Sequence, residues 1–306
     1  MPKYTHFAIV ASFFCLWLNS FFTEKTELII AFFFILTVGI LHWANDLILI
    51  ETTKSDQKTS TFLKNLIKYI IIVVSGLLLF YLLPIVALLL FIIVSAFHFG
   101  DQQGLYFSFK TSKIILVAYP FLYGVLLLFL LFYFNSLEVE NIVSAIIRIP
   151  IPYFYITEIL ITTLLLFSSI SIYFFYKFRP FRKKIATELF YIIVFAILFK
   201  TSSLIWGFAI YFIIWHSVPS ILDQMKFIYG AVTLQHFQTY CKNGFVYWLA
   251  SVIGIAGLYL IFKDQEIFNA LFFSFLAAIT FPHVFVILKM MHKKHKNTID
   301  TSITSP

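Results

Sequence analysis

The chain has 306 residues, 61% of them hydrophobic and only 12% charged, with a mean hydropathy of +0.95. That composition excludes a soluble globular domain and predicts an all-α integral membrane protein, because helices satisfy their own backbone in lipid. The net charge of +8 includes no nucleic-acid-binding motif, and the two cysteines, Cys15 and Cys241, form neither a disulfide framework nor a thiolate metal motif.

In chain order, apolar runs near the bilayer-spanning length predict spans at 4–22, 28–50, 66–83, 85–99, 114–134, 154–176, 185–199, 203–217, 245–262 and 267–288. The first is too long for a signal-peptide core and lacks a cleavage site, so it is read as a retained span. Only Pro84 separates the third and fourth, and lysine and arginine decide between one element and two. With ten spans, 18 basic residues fall on one side and 4 on the other; merging the pair leaves 14 against 8. Positive-inside bias therefore favours a polytopic bundle of about ten (eight to ten) transmembrane helices with both termini cytoplasmic. A re-entrant hairpin at Pro84 keeps the same parity. The basic run at 177–184 and the tail at 289–296 then serve as anchors near anionic lipid. Residues 1–296 are expected to form a single transmembrane domain, and 297–306 a short disordered tail.

Polar phrases interrupt this oily sequence at four places. Gly39-Ile-Leu-His42-Trp-Ala-Asn45-Asp46 would place His42, Asn45 and Asp46 on one helix face, with Gly39 admitting a neighbouring helix. His98 stands before Gly100 and Asp101, where the glycine reads as a helix terminator. His216 closes the eighth span before Pro219, with Asp223 and Gln224 following. His283 follows Pro282 well inside the tenth span. In the charge-derived topology all four lie within roughly 12 Å of the cytoplasmic boundary. The topology came from Lys and Arg alone, so this alignment is an independent result. By contrast, His6, His236, His292 and His295 lie at the N-terminus, in the 218–244 loop and in the Lys-rich tail, where solvated or interfacial histidines are ordinary; His236 is held in reserve as a ligand.

A histidine in lipid is costly unless it faces a bundle interior and has a partner, so four at one depth suggest a shared metal. Neutral imidazoles suit a borderline transition ion, and a closed structural zinc site would normally use cysteine. Reactive iron with open coordination positions fits best. Asp46, Asp101 and Asp223 are placed to accept N–H groups from the metal-bound rings. Desaturase histidine boxes, HExxH, a P-loop, GxGxxG and GxSxG are all absent. A transporter or channel relaying protons through these groups, and a retinal- or carotenoid-binding membrane protein without turnover, are the competing classes. The first is disfavoured because the polar residues gather at one side.

Taken together, the phrases GxxHxxxD, HFG, HS and PH, in that order over essentially the whole chain, resemble the Brp/Blh family of membrane-bound β-carotene 15,15′-dioxygenases. The resemblance implies cleavage of the central double bond of β-carotene by O₂ to two retinal molecules. It also implies non-haem Fe(2+), a bacterial inner-membrane location and retinal use by a microbial rhodopsin. Carried over by motif, His42, His98, His216 and His283 would be the iron ligands. Two positions depart from the pattern. Ser220 stands where some members have a second histidine after the HS motif, and Trp43 stands where many have glycine. These departures bear on the ligand set and on the shape of the substrate tunnel.

Overall fold

The computed structural model describes residues 2–53, 62–102, 111–149, 153–261 and 265–304, and all regular structure among them is helical. In chain order the helices are α1 (Pro2–Asn19), α2 (Glu24–Phe34), α3 (Asp46–Thr53), α4 (Phe62–Leu82), α5 (Pro84–Gln102), α6 (Lys113–Phe134) and α7 (Ser136–Ile147). They continue as α8 (Tyr153–Lys177), α9 (Arg179–Lys200), α10 (Leu204–Ile210), α11 (Val218–Tyr229), α12 (Leu234–Ile261) and α13 (Gln265–Thr304). Two stretches, Ile35–Gly39 after α2 and Tyr211–Ser217 after α10, widen into π-helix.

Among the described residues, six helical stretches are long and apolar enough to cross a membrane: Phe62–Leu82, Lys113–Phe134, Tyr155–Lys177, Leu204–Tyr229, Leu234–Ile261 and Phe268–Lys293. Tyr4–Asn19 and Pro84–Gly100 are shorter apolar helices. The predicted span at 28–50 is not one helix: α2 passes into the π-turn, residues 42–45 form turns, and α3 starts afresh at Asp46. The predicted span at 185–199 lies within α9, whose opening residues include Arg179, Arg182, Lys183 and Lys184. Pro84 does separate two helices, taking the first position of α5, where its missing N–H is no loss.

Side-chain caps start α2 and α10. The Thr23 side chain accepts from the Thr26 N–H at the start of α2, with Glu24 and Glu27 in the first turn at the positive end of the helix dipole. Ser203 does the same for α10 by accepting from the Trp206 N–H, and its hydroxyl donates to Glu27. The chain does not break after His216, as its Pro219 suggested. That proline lies in the first turn of α11, and the helix runs on to Gly230, whose φ of 78° supplies the left-handed stop.

The chain divides into two compact units. Unit 1 comprises residues 1–35 and 92–216. In it α6 packs on α8 and α9, and α10 packs on α2. Its interior is aromatic: Tyr119, Phe167, Phe174, Phe181, Phe195 and Phe199 are essentially inaccessible, and the Tyr119 and Phe167 rings stack 4.9 Å apart. The Tyr119 hydroxyl finds Ser171 Oγ at 3.1 Å, so burying the phenol strands no polar group. Unit 2 comprises residues 36–91 and 217–306, with α13 lying along α4 and α3. Leu49, Val286, Ile287 and Met290 form one buried cluster there, and Ile221, Met225 and Tyr240 another. Where α4 meets α13, Gly76 faces the Ala278 backbone, and a Cβ on Gly76 would sit 3.2 Å from the Ala278 Cα. In lipid such close packing, rather than water exclusion, holds helices together.

Candidate functional site

Unit 2 carries the first histidine pair. The π-turn at Ile35–Gly39 releases backbone carbonyls from the regular helical ladder, and the Gly39 carbonyl accepts a short hydrogen bond from His42 Nδ1. A carbonyl can only accept, so Nδ1 carries the proton and Nε2 keeps its lone pair. Across from it, His283 Nδ1 lies 2.8 Å from Asp46 Oδ1. The carboxylate fixes the same tautomer there, again leaving Nε2 as the donor atom. The two rings stand perpendicular with centroids 4.9 Å apart, and both residues have no accessible surface. Tyr69 of α4 donates to the other carboxylate oxygen, Asp46 Oδ2, at 2.8 Å. The result is a relay of fixed groups, Tyr69 to Asp46 to His283, drawn from α4, α3 and α13.

The turn that bears His42 is itself held from behind. Gln224 of α11 is fully buried and donates from Nε2 to the His42 carbonyl at 2.9 Å and to Ser220 Oγ at 3.1 Å. Its Oε1 accepts from the Tyr240 hydroxyl at 2.8 Å. Asn45 Nδ2 donates to the Tyr240 carbonyl at 3.1 Å. A Cβ on Gly244 would lie 2.9 Å from Asn45 Nδ2 and 3.0 Å from Ala44 Cβ, so a larger residue there would push on the Asn45 amide and Ala44 of the turn. His42, Asn45 and Asp46 thus do not share a helix face. His42 and Asn45 lie in the turn, Asp46 starts α3, and each reaches a different partner.

Unit 1 carries the second pair. His98 and His216 are buried, their ring centroids 4.6 Å apart at an interplanar angle of 79°. Phe99 stands edge-on to His216 at 4.9 Å, and Phe212 stacks on it at 5.4 Å. Trp215, beside His216 in the π-turn, donates from Nε1 to Ser12 Oγ at 2.9 Å. His98 is positioned by a tight helix crossing. A Cβ on Gly124 of α6 would come 1.8 Å from the Ala96 carbonyl oxygen, and one on Gly100 would come 1.8 Å from the Pro120 carbonyl oxygen. Gly100 is therefore not a terminator, since α5 continues to Gln102. It lets two backbones touch on either side of the histidine.

The carboxylates read from sequence divide. Asp46 is the direct partner of His283. The Asp101 side chain lies outside the described residues. Asp223 is only partly buried; its neighbour Gln224 holds the His42 segment. His236 stays apart from both pairs: its Nδ1 donates to the Ala231 carbonyl at 2.8 Å, and its ring stacks on Tyr229. Sequence reasoning missed Tyr69, Gln224 and Tyr240. Gln224 alone carried a signal, as an uncharged amide among apolar residues beside the HS motif. Ser220, one of the two departures, accepts from Gln224, and Trp43, the other, packs its ring 4.8 Å from His42.

The long apolar helices point to a membrane protein, and its buried imidazoles could hold a metal ion. Residues 33–291 match the family model described as beta-carotene 15,15′-dioxygenase, and the chain belongs to that family. No curated protein and no solved structure matches it.

Proposed function

We propose that the protein is a non-haem iron dioxygenase that cleaves the central 15,15′ double bond of β-carotene with O₂, giving two molecules of retinal. His42, His98, His216 and His283 are the proposed iron ligands. The observation that carries this reading is the fixed tautomer of His42 and His283, each with Nδ1 bound to an acceptor and Nε2 left as a lone-pair donor. Both imidazoles are buried, and each offers one nitrogen that could hold a metal. Four neutral imidazoles suit ferrous iron, and the Asp46 carboxylate offsets its charge.

When bound, the iron supplies the means of bringing O₂ to the polyene. The reaction balances without an external reductant: one C=C bond breaks and each carbon gains one oxygen atom from O₂. The side chains orient and exclude. Asp46 and Tyr69 keep the His283 ring from rotating, Gln224 and Tyr240 pin the His42 turn, and Phe99, Phe212 and Trp43 keep the surroundings dry. The ten-crossing topology with cytoplasmic termini belongs to the same proposal, as does a bacterial inner membrane in which β-carotene is already dissolved.

Coexpression in β-carotene-producing bacterial cells, with retinal and residual carotene measured by HPLC, tests the reading. Retinal is expected from the wild-type chain and is expected to be lost in His42→Ala while the protein remains in the membrane. Carotene left intact by folded, iron-loaded protein would overturn the oxygenase and favour a binding or transport role.

A further inference from the structure

Unit 2 contains a cavity of about 310 Å³ that the histidine chemistry does not account for. It is bounded by α4, α12, α13 and the turn that carries His42. Three observations bear on what it holds. Trp43 and Asp46 form part of its wall, so one end abuts the pair His42 and His283. The wall is mostly apolar, and its Asp46, Tyr69 and Ser251 are already engaged: Asp46 accepts from His283 and Tyr69, and Ser251 Oγ donates to the Tyr247 carbonyl at 3.0 Å. Ile70 and Val74, also lining it, are 51% and 47% exposed on the outer face of α4, where a membrane protein meets hydrocarbon.

A ligand that needs hydrogen bonds gains nothing from such a wall, whereas an unsubstituted hydrocarbon loses nothing by leaving the bilayer for it. The lining runs from Leu66 to Val74 on α4, about 12 Å of helix. That reach is shorter than a whole carotenoid and suits one arm of it.

We propose that this cavity seats one arm of the polyene and that Ala250 and Ser251, the small side chains α12 presents to it, set the bulk of the arm it accepts. The assignment rests on the dioxygenase reading for its substrate and on the cavity alone for its place. With an arm seated between α4 and α12, the chain's midpoint emerges at the Trp43 and Asp46 end, beside the proposed iron ligands. Enlarging Ala250 or Ser251 fills the seat while leaving every histidine, Asp46 and Tyr69 unsubstituted. Removing the Ser251 hydroxyl, which faces its own helix carbonyl, leaves the seat unchanged.

The test uses full-length, iron-loaded protein in lipid nanodiscs, with β-carotene binding read by quenching of tryptophan emission and retinal read by HPLC. Ala250→Phe is expected to lower β-carotene affinity at least ten-fold at unchanged iron content, and Ser251→Ala to leave it within two-fold of wild type. Ala250→Val reads the same axis at smaller amplitude. Among the substrates cleaved, Ala250→Phe is expected to shift preference from ring-ended to slimmer acyclic-ended carotenes. Wild-type affinity and wild-type preference in Ala250→Phe would overturn the seat. Wild-type protein that binds iron and β-carotene, loses that binding in Ala250→Phe, yet makes no retinal would uphold the seat and sink the dioxygenase.

Discussion

The two histidine pairs are built by different means. In unit 2 the rings are tethered through hydrogen bonds: His42 to a π-turn carbonyl, His283 to a carboxylate that a tyrosine also binds, and the whole turn to Gln224. In unit 1 close packing surrounds the rings, with Phe99 and Phe212 against His216 and a glycine-lined helix crossing on either side of His98. A tether fixes the tautomer and charge of a donor atom, whereas a packed seat fixes its position. Losing one link of a tether should weaken metal affinity in steps, but a packed seat should fail when its shape is lost.

The largest effect should come from His216→Ala. If both pairs serve one ion, retinal formation falls to background as completely as in His283→Ala, and iron content drops in both. Retained activity in His216→Ala alone would assign the chemistry to unit 2 and leave unit 1 a scaffold. An intermediate effect is expected for Asp46→Asn, which keeps the shape but removes the charge behind His283. Loss of such an outer partner typically costs about 10–100-fold in metal affinity, to be read by iron titration, with Tyr69→Phe at the lower end or below it. The smallest contrast is also the sharpest. Gln224→Ala removes the amide that bridges the Tyr240 hydroxyl and the His42 carbonyl and leaves them their direct 3.5 Å contact, a loss of about 1–3 kcal/mol by thermal or denaturant unfolding in detergent. Asp223→Asn leaves the Gln224 hydrogen bonds in place and should cost less, and an equal effect of the two substitutions would undo the assignment of Gln224 as the support of the His42 turn.

Much of this was legible in the sequence, for reasons the residues make plain. An apolar helix hides nothing polar, so His42, His98, His216 and His283 stand out, and Asp46 with them. The break at residues 42–45 was not legible. The apolar run continues through it, and the widening of the backbone at Ile35–Gly39 leaves no trace in hydropathy. Gly100 was misread because a glycine near a predicted helix end suggests a stop, while its real role depends on a second helix, α6, distant in sequence. Tyr69 escaped notice because an aromatic on a lipid-facing helix is ordinary there, and only the approach of α3 turns it into the partner of a carboxylate. Gln224 was overshadowed by its charged neighbour, although an amide that donates and accepts at once suits a buried crossroads better than an acid does.

The π-turns set a rotational phase. One extra residue in a helix swings everything beyond it by about 100° around the axis. The stretch Ile35–Gly39 just precedes His42, and the stretch Tyr211–Ser217 contains His216, so each acts as an angular offset at a proposed iron ligand. Deleting one residue from Ile35–Gly39 would barely alter length, composition or hydropathy. It would nonetheless swing the turn that carries the His42 imidazole around the axis of the preceding helix, and the Gly39 carbonyl that sets its tautomer would be displaced as well.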